Sequence, residues 1–304
     1  MIRFWILVFL LAGARVPAQV PACSSGRVER IPDFPSRYVT PRNIDVWLPD
    51  DFVSGKDYGV LYMHDGQMLF DSSGTWNHQS WEMDETGAKM QHVAGKFIIV
   101  GIWNSGSGRH ADYFPQKPFE AMSQTEKDSL TAQLQRAGRT KTVFSPVSDR
   151  YLKFITEELK PAVEKKYGVC GDRKHTWIAG SSMGGLISLY AICEYPDVFG
   201  GAACLSTHWP GTFSLENNPF PEAFRRYLSR KLPAARKNRI FFDLGDQTLD
   251  AMYPPLQRQI DEVMYKAGYR KNWVTLYLLE ENHSEKSWQK RIPAALNFLF
   301  NQSS

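Results

Sequence analysis

From residue 58 onward, short continuous apolar runs alternate with longer stretches of helical periodicity. The runs are YGVLYMHDG (58–66), KFIIVGIWN (96–104), KHTWIAGS (174–181), GGAACLST (200–207), RIFFDLG (239–245) and WVTLYLLE (273–280). Uninterrupted apolar runs of this length, spaced by helices, are what strands covered on both faces of a parallel sheet require. Two earlier segments, RVERIPDF and RNIDVWLPD, alternate polar and apolar residues instead, which predicts an antiparallel pair at one sheet edge. The fold class is therefore α/β, with a mostly parallel central sheet.

The helical stretches support that reading. In SDRYLKFITEELKPAVEKKYG (148–168), Tyr151, Phe154, Ile155, Leu159 and Val163 fall on one face, with Ser148 as the expected N-cap and Gly168 as the stop. Pro161 is expected to kink this helix. SWQKRIPAALNFLF supplies a closing helix. Residues 115–147 and 208–235 are longer than ordinary connections and carry only short helical patterns, so they read as lids or binding loops. No repeat and no linker divides the chain, which predicts one domain over residues 19–304.

The first residues break the pattern. Arg3 precedes an apolar run from Phe4 to about Ala14, followed by small residues through Ala18. A spanning helix needs roughly 20 apolar residues, so residues 1–18 read as a secretory signal peptide and the protein as exported, periplasmic or secreted. A lipid anchor at Cys23, at the end of VPAC, is the alternative. Removing residues 1–18 takes away Arg3 and Arg15 and no acid, so the formal charge falls from +4 to +2. No long run of one sign remains, which argues against nucleic acid as a partner. Four scattered cysteines, 23, 170, 193 and 204, form neither a disulfide scaffold nor a paired zinc motif.

The candidate chemistry lies at GSSMG (180–184), which places Ser182 at the centre of G-x-S-x-G. The motif follows the apolar run HTWIA and opens the helical run MGGLISLYAICEYP, the strand-turn-helix setting that projects a nucleophilic serine. Ser181 is then a small neighbour that a crowded turn tolerates. A serine hydroxyl needs a base, and the base needs an orienting carboxylate. In the chain order serine, acid, histidine, only His208 and His283 follow Ser182. His208 precedes any place for the acid, so His283, after the last strand, is the candidate base. The acid belongs after RIFFDLG, where Asp246 and Asp250 both qualify; Asp243 is still inside the strand.

HDGQMLFD (64–71), GIWNSGSGRHADYFP (101–115), YLKFITEELKP (151–161), GSSMGG (180–185) and ENHSEKSW (281–288) occur here in one order. That series resembles the esterase family containing esterase D, feruloyl and acetylxylan esterases, enterochelin esterases and mycolyltransferases, over most of residues 35–300. The resemblance implies an α/β-hydrolase fold, to which the alternating segments add antiparallel N-terminal edge strands; no cofactor is implied, and no ligand spacing suggests a metal. It aligns GDQTLDAMY with the family's acid-bearing segment and points to Asp250, with Asp246 as the alternative. It also implies that Arg109, Asp112 and Tyr113 order a loop beside the pocket.

Acyl transfer passes through an oxyanion that backbone N–H groups must receive. Met183, following the nucleophile, is one candidate. The other is Gln67, in the loop after the first parallel strand, where Gly66 is expected to permit the necessary turn. His64, Asp65, Asp71 and His78 lack metal-ligand spacing and read as loop-stabilising. Trp76, Trp81, Trp103, Trp209 and Trp288 lie near strand ends, where flat faces stack on sugars or phenolic groups; Trp103, His208 and Trp209 are the candidate substrate contacts. The expected activity is that of an exported serine esterase acting on a small-molecule or oligosaccharide ester, in particular acylated carbohydrate. A siderophore esterase, an acyltransferase to a sugar hydroxyl and an inactive binding protein on the same fold are the alternatives.

Overall fold

The computed structural model describes residues 19–55 and 58–301; the expected leader at 1–18 lies outside them. Eight strands form one sheet in the order β1-β2-β4-β3-β5-β6-β7-β8. They are β1 (Arg27–Phe34), β2 (Arg42–Leu48), β3 (Gly59–His64), β4 (Phe97–Ile102), β5 (Thr176–Ser181), β6 (Gly201–Leu205), β7 (Arg239–Leu244) and β8 (Trp273–Tyr277). β1 pairs antiparallel with β2 and β2 with β4, while every later pairing is parallel. This is the α/β-hydrolase arrangement that the apolar runs and the alternating edge segments imply.

Side chains alternate between two apolar layers. Val60, Tyr62, Ile98, Val100, Ile178 and Phe242 face one cluster, and their chain neighbours Leu61, Met63, Ile99, Ala179 and Phe241 face the other. Covering the second layer are α1 (Met83–Ala94) and α10 (Glu285–Phe300). The first layer is covered by α2 (Arg109–Tyr113), α3 (Gln116–Glu120), α4 (Gln124–Arg136), α5 (Ser148–Lys153), α6 (Lys160–Tyr167), α7 (Met183–Glu194), α8 (Phe220–Lys231) and α9 (Pro254–Lys266). Burial on both faces is why β3 to β7 read as unbroken apolar runs; β8, the run expected to be covered likewise, is the sheet edge and only partly buried, with Tyr277 44% exposed. Among the described residues no helix is long and apolar enough to cross a membrane.

Of three local expectations for the helical stretch 148–168, one needs correction. Ser148 is not the N-cap: Val147 holds that place, and the Ser148 hydroxyl accepts the Gln116 N–H at 2.9 Å, tying α5 to α3. Pro161 is met by a π-helical turn over Phe154–Leu159 that joins α5 to α6. A proline leaves a carbonyl one turn earlier without its usual donor, and a widened turn re-registers the bonding there. Gly168 ends α6 in the left-handed conformation, as expected of a C-terminal glycine.

Residues 115–147 and 208–235 hold more regular helix than expected, α3 and α4 in the first and α8 in the second. α4 starts at a capping box in which Ser123 accepts the Glu126 N–H and the Glu126 carboxylate accepts the Ser123 N–H. α8 buries Phe220, Phe224, Tyr227 and Leu228, a helical stripe. The segments 138–147 and 208–219 remain irregular, and residues 138–145 form one wall of the cavity above Ser182. Cys204 is a core residue, Cys23 is half-buried against the second apolar layer, and no disulfide joins the four cysteines.

Candidate active site

The turn between β5 and α7 holds Ser182 at φ 57° and ψ −122°. A non-glycine residue there is strained, and the surrounding contacts hold it. The Ser182 N–H donates to Leu205 O at 2.9 Å, and its carbonyl accepts the His208 N–H at 3.1 Å, so both ends of the turn are tied to the end of β6. A Cβ on Gly180 would stand 2.9 Å from the Gly184 carbonyl carbon, so the first glycine of the motif is needed for the chain to double back this tightly. Ser181 is the last residue of β5 and is buried, whereas Ser182 is partly exposed to the cavity that it lines.

His283 follows β8, and Asp250 lies on a single 3₁₀ turn after β7. The His283 Nδ1 is 2.6 Å from Asp250 Oδ1, and the His283 N–H donates to Thr248 Oγ1 at 3.0 Å. Asp246, the alternative acid, instead accepts the Glu280 N–H at 2.8 Å and pins the β8 exit loop. Tyr253 stands near both residues: its ring lies 5.9 Å from the His283 ring, and the Ser182 side chain is close enough to bear on its phenol. The same hydroxyl is 2.7 Å from His208 Nδ1.

Asp250 is fully buried, and its second oxygen, Oδ2, accepts from Ser206 Oγ at 2.6 Å and from the Gly245 N–H at 2.7 Å. Burial by itself raises a carboxyl. Here the bond and charge of His283, with the Ser206 and Gly245 bonds, outweigh it and leave Asp250 below the ordinary carboxylate range. Ser206 is a hub: buried at φ 41°, it also accepts from Trp288 Nε1 at 3.0 Å and Arg291 Nη2 at 2.7 Å. Arg291 lies 3.6 Å from Asp243 and 3.9 Å from Asp250. Burial pushes the Asp243 carboxyl up to about 7 against the pull of Arg291, so near neutral pH the pair of acids carries less than two full charges beside this one guanidinium.

Sequence reading missed Ser206, Tyr253 and Arg291. Arg291 had a readable signal, a single cation in the buried stripe of α10 beside Trp288, Ile292 and Ala295. For Ser206 and Tyr253 no local pattern gives the role, because their partners come from other elements.

Replacing Ser206 by Ala is expected to cost about 1.5–3 kcal/mol at pH 7, the range for a hydrogen bond to a charged group. Because the folded Asp250 is depressed, stability from its partners is present above the unfolded carboxyl pKa, about 3.9, and is lost as pH falls through the folded value. The deficit of the variant should therefore shrink on acidification. Urea unfolding of both proteins across that range checks it; a deficit independent of pH would mean that Ser206 acts only through Trp288 and Arg291.

Met183 is the first residue of α7, and Gln67 the second of a short 3₁₀ turn after β3. N–H groups at such positions have no carbonyl partner within their own helix. The turn at Gln67 differs from expectation. Asp65, not Gly66, takes the left-handed conformation, at φ 58°. Gly66 is needed for space, since a Cβ there would meet Gly101 C at 2.5 Å. Asp65 is held by Arg109 through two bonds of 2.7 Å and by Asn104 Nδ2 at 2.7 Å, and Gln67 Oε1 accepts the Asn104 N–H at 3.2 Å. Burial would raise Asp65, but the Arg109 charge and bonds and the Asn104 bond bring it below its usual range. Asp112 accepts from Arg42 at 3.1 Å and Ser105 at 2.6 Å. His64 bonds Tyr151, and burial lowers its imidazole to about 3. Asp71 accepts the Ser73 N–H at 2.8 Å, and His78 occupies a left-handed turn at φ 53°.

The cavity above Ser182 measures about 720 Å³. Its wall includes Arg109, Arg139, Lys141, His208 and Phe213, and Arg139 lies over the Phe213 ring at 4.8 Å. His208 is 1% exposed and, lowered by burial, is held neutral. Trp103 and Trp209 are not in this wall. Trp209 is 2% exposed and donates to Gln257 at 2.9 Å; Trp103 donates to Asp45 at 2.8 Å under the Arg30 guanidinium. Trp81 and Trp288 pack on each other, 5.5 Å apart, with Trp288 edge-on to His283 at 4.9 Å. Trp76 is 85% exposed. The expected sugar-stacking face is thus not formed by these tryptophans: apolar packing and buried indole partners claim them, apart from the solvent-facing Trp76.

The model of the Putative esterase family matches residues 36–299. The Ferri-bacillibactin esterase BesA of Bacillus subtilis is 37% identical over 168 residues, covering 52% of this chain and 51% of BesA. Among solved structures, siderophore hydrolase EstA from Aspergillus nidulans superposes with a TM-score of 0.64 at 18% identity, covering 99% of this chain and 100% of EstA. A ferulic acid esterase superposes with a TM-score of 0.60 at 20% identity, covering 90% of this chain and 98% of its own.

Proposed function

We propose, for a chain that belongs to the Putative esterase family and is a carboxylic ester hydrolase, that Ser182, His283 and Asp250 form a catalytic triad. The 2.6 Å contact between His283 and Asp250, on loops at the same end of the parallel strands as the strained Ser182 turn, carries this reading. His283 Nε2 takes the Ser182 proton as Oγ bonds to the ester carbonyl carbon. Asp250 holds Nδ1–H, fixing the tautomer, and stabilises the imidazolium while remaining ionised. The oxyanion receives the Met183 and Gln67 N–H groups. Collapse expels the alcohol, which takes the proton from His283, and water then attacks the acyl-enzyme by the same route in reverse.

A substrate reading follows from the wall of the cavity. Arg139 and Lys141, with neutral His208 and Phe213, favour an aromatic ester bearing anionic or phenolate oxygens over an acetylated sugar. The names of BesA and EstA support the siderophore-ester alternative for this chain. Parallel assays on a catecholate siderophore ester, a feruloyl sugar ester and an acetylated xylo-oligosaccharide test it. The first is expected to give the highest kcat/KM, with Arg139→Gln raising its KM and leaving small aryl acetates unaffected. Preference for the acetylated sugar would return the reading to carbohydrate, and diversion of acyl groups to added sugar would make the protein a transferase.

A further inference from the structure

The loop leading from α6 into β5 lies at the opposite end of β5 from Ser182, and it gathers three different donor types. Cys170 Sγ stands 3.3 Å from Asp172 Oδ2 and 3.4 Å from His175 Nδ1. His175 Nδ1 stands 2.9 Å from both Asp172 oxygens. The three ligand atoms lie within 4.8 Å of one another, from residues spaced C-x-D-x-x-H. None of them takes part in the triad or in the cavity wall.

We propose that Cys170, Asp172 and His175 bind a divalent transition-metal ion of the zinc class. In a tetrahedral site with metal–nitrogen and metal–oxygen bonds of about 2.0 Å and a metal–sulfur bond of about 2.3 Å, donor atoms sit roughly 3.3–3.6 Å apart. Both sulfur edges already have that length, and the nitrogen–oxygen edge needs to open by only a few tenths of an ångström. A thiolate, an imidazole and a carboxylate select Zn²⁺, Co²⁺ or Ni²⁺ over Mg²⁺ and Ca²⁺, which want oxygen throughout. On binding, Cys170 releases its proton to solvent, and His175 offers the Nδ1 lone pair with its proton on Nε2. One thiolate and one carboxylate then balance the charge of the ion.

The loop is set for this geometry before any ion arrives. Asp172 is the N-cap of the 3₁₀ turn Arg173–His175 and accepts the His175 N–H at 3.1 Å, which fixes the separation of the two ligands. The Asp172 and His175 side chains are 56% and 49% exposed, so solvent reaches the remaining coordination position. Such a site ties the end of α6 to the start of β5 and does not touch the ester.

Co²⁺ titration of the full chain, kept reduced with a phosphine, tests the proposal, with Zn²⁺ competition against a chelating dye as the second readout. One Co²⁺ per chain should bind with a thiolate-to-metal charge-transfer absorption that Zn²⁺ abolishes. Cys170→Ser should lose that absorption, and His175→Gln should weaken Zn²⁺ binding at least about tenfold. Both variants should hydrolyse an aryl acetate at the parent rate, showing that they are folded. Absence of stoichiometric Co²⁺ binding, an absorption that survives Cys170→Ser and vanishes in Cys23→Ser, or unchanged Zn²⁺ affinity in His175→Gln would each overturn it. Asp172 is left intact because its removal also uncaps the turn.

Discussion

Ser182→Ala should lower kcat for a small aryl acetate by about 10⁶-fold, the order seen when the nucleophile of a comparable serine hydrolase is removed. Ser181→Ala should keep turnover within about tenfold of the parent, since Ser181 is buried as the last residue of β5 and does not line the cavity. The comparison is clean because Ala keeps the Cβ of Ser. The strain at φ 57° and the bonds from Leu205 and His208 to the turn are backbone properties and survive the change. What disappears is the hydroxyl alone. Stopped assays on both variants, with unfolding curves to show that each is intact, decide it; an active Ser182→Ala protein would remove the nucleophile from the mechanism.

The second large effect concerns the proposed base and acid. His283→Ala should lose about 10⁶ in kcat and Asp250→Asn about 10⁴, because a misoriented imidazole still accepts protons poorly. Asp246→Asn should change kcat by no more than a few-fold. Asp246 contacts the Glu280 N–H rather than His283, and an asparagine oxygen can accept that bond equally well. Reversal of the two aspartate effects would place the acid four residues earlier, and full activity in both would leave a Ser-His pair without an acid.

Much of this arrangement was legible because it is local. The unbroken apolar runs mark strands covered on both faces, and G-x-S-x-G between a strand and a helix marks the turn at Ser182. Chain order separates His283 from His208. The rest depends on contacts that no short window contains. Asp250 and Asp246 are both plausible on a loop, and only the packing of that loop against the β8 exit puts Asp250 beside His283. Ser206 joins Asp250 to Trp288 and Arg291 through contacts that span 44 to 85 residues of chain. Trp103 and Trp209 stand near strand ends as substrate contacts would, yet their indoles donate to Asp45 and Gln257 and neither ring lines the cavity. α4 and α8 were readable in part, from the Ser123–Glu126 box and the Phe220, Phe224, Tyr227, Leu228 stripe; high Pro, Ser and charge content concealed them.

Peptide mapping by mass spectrometry after reaction with a fluorophosphonate tests the central claim most directly, since the reagent reports which hydroxyl is activated. A single adduct on Ser182 is the predicted outcome, formed rapidly by the parent and by Ser181→Ala and suppressed in His283→Ala. An adduct on Ser181, or labelling of Ser182 that is unaffected by the loss of His283, would contradict it.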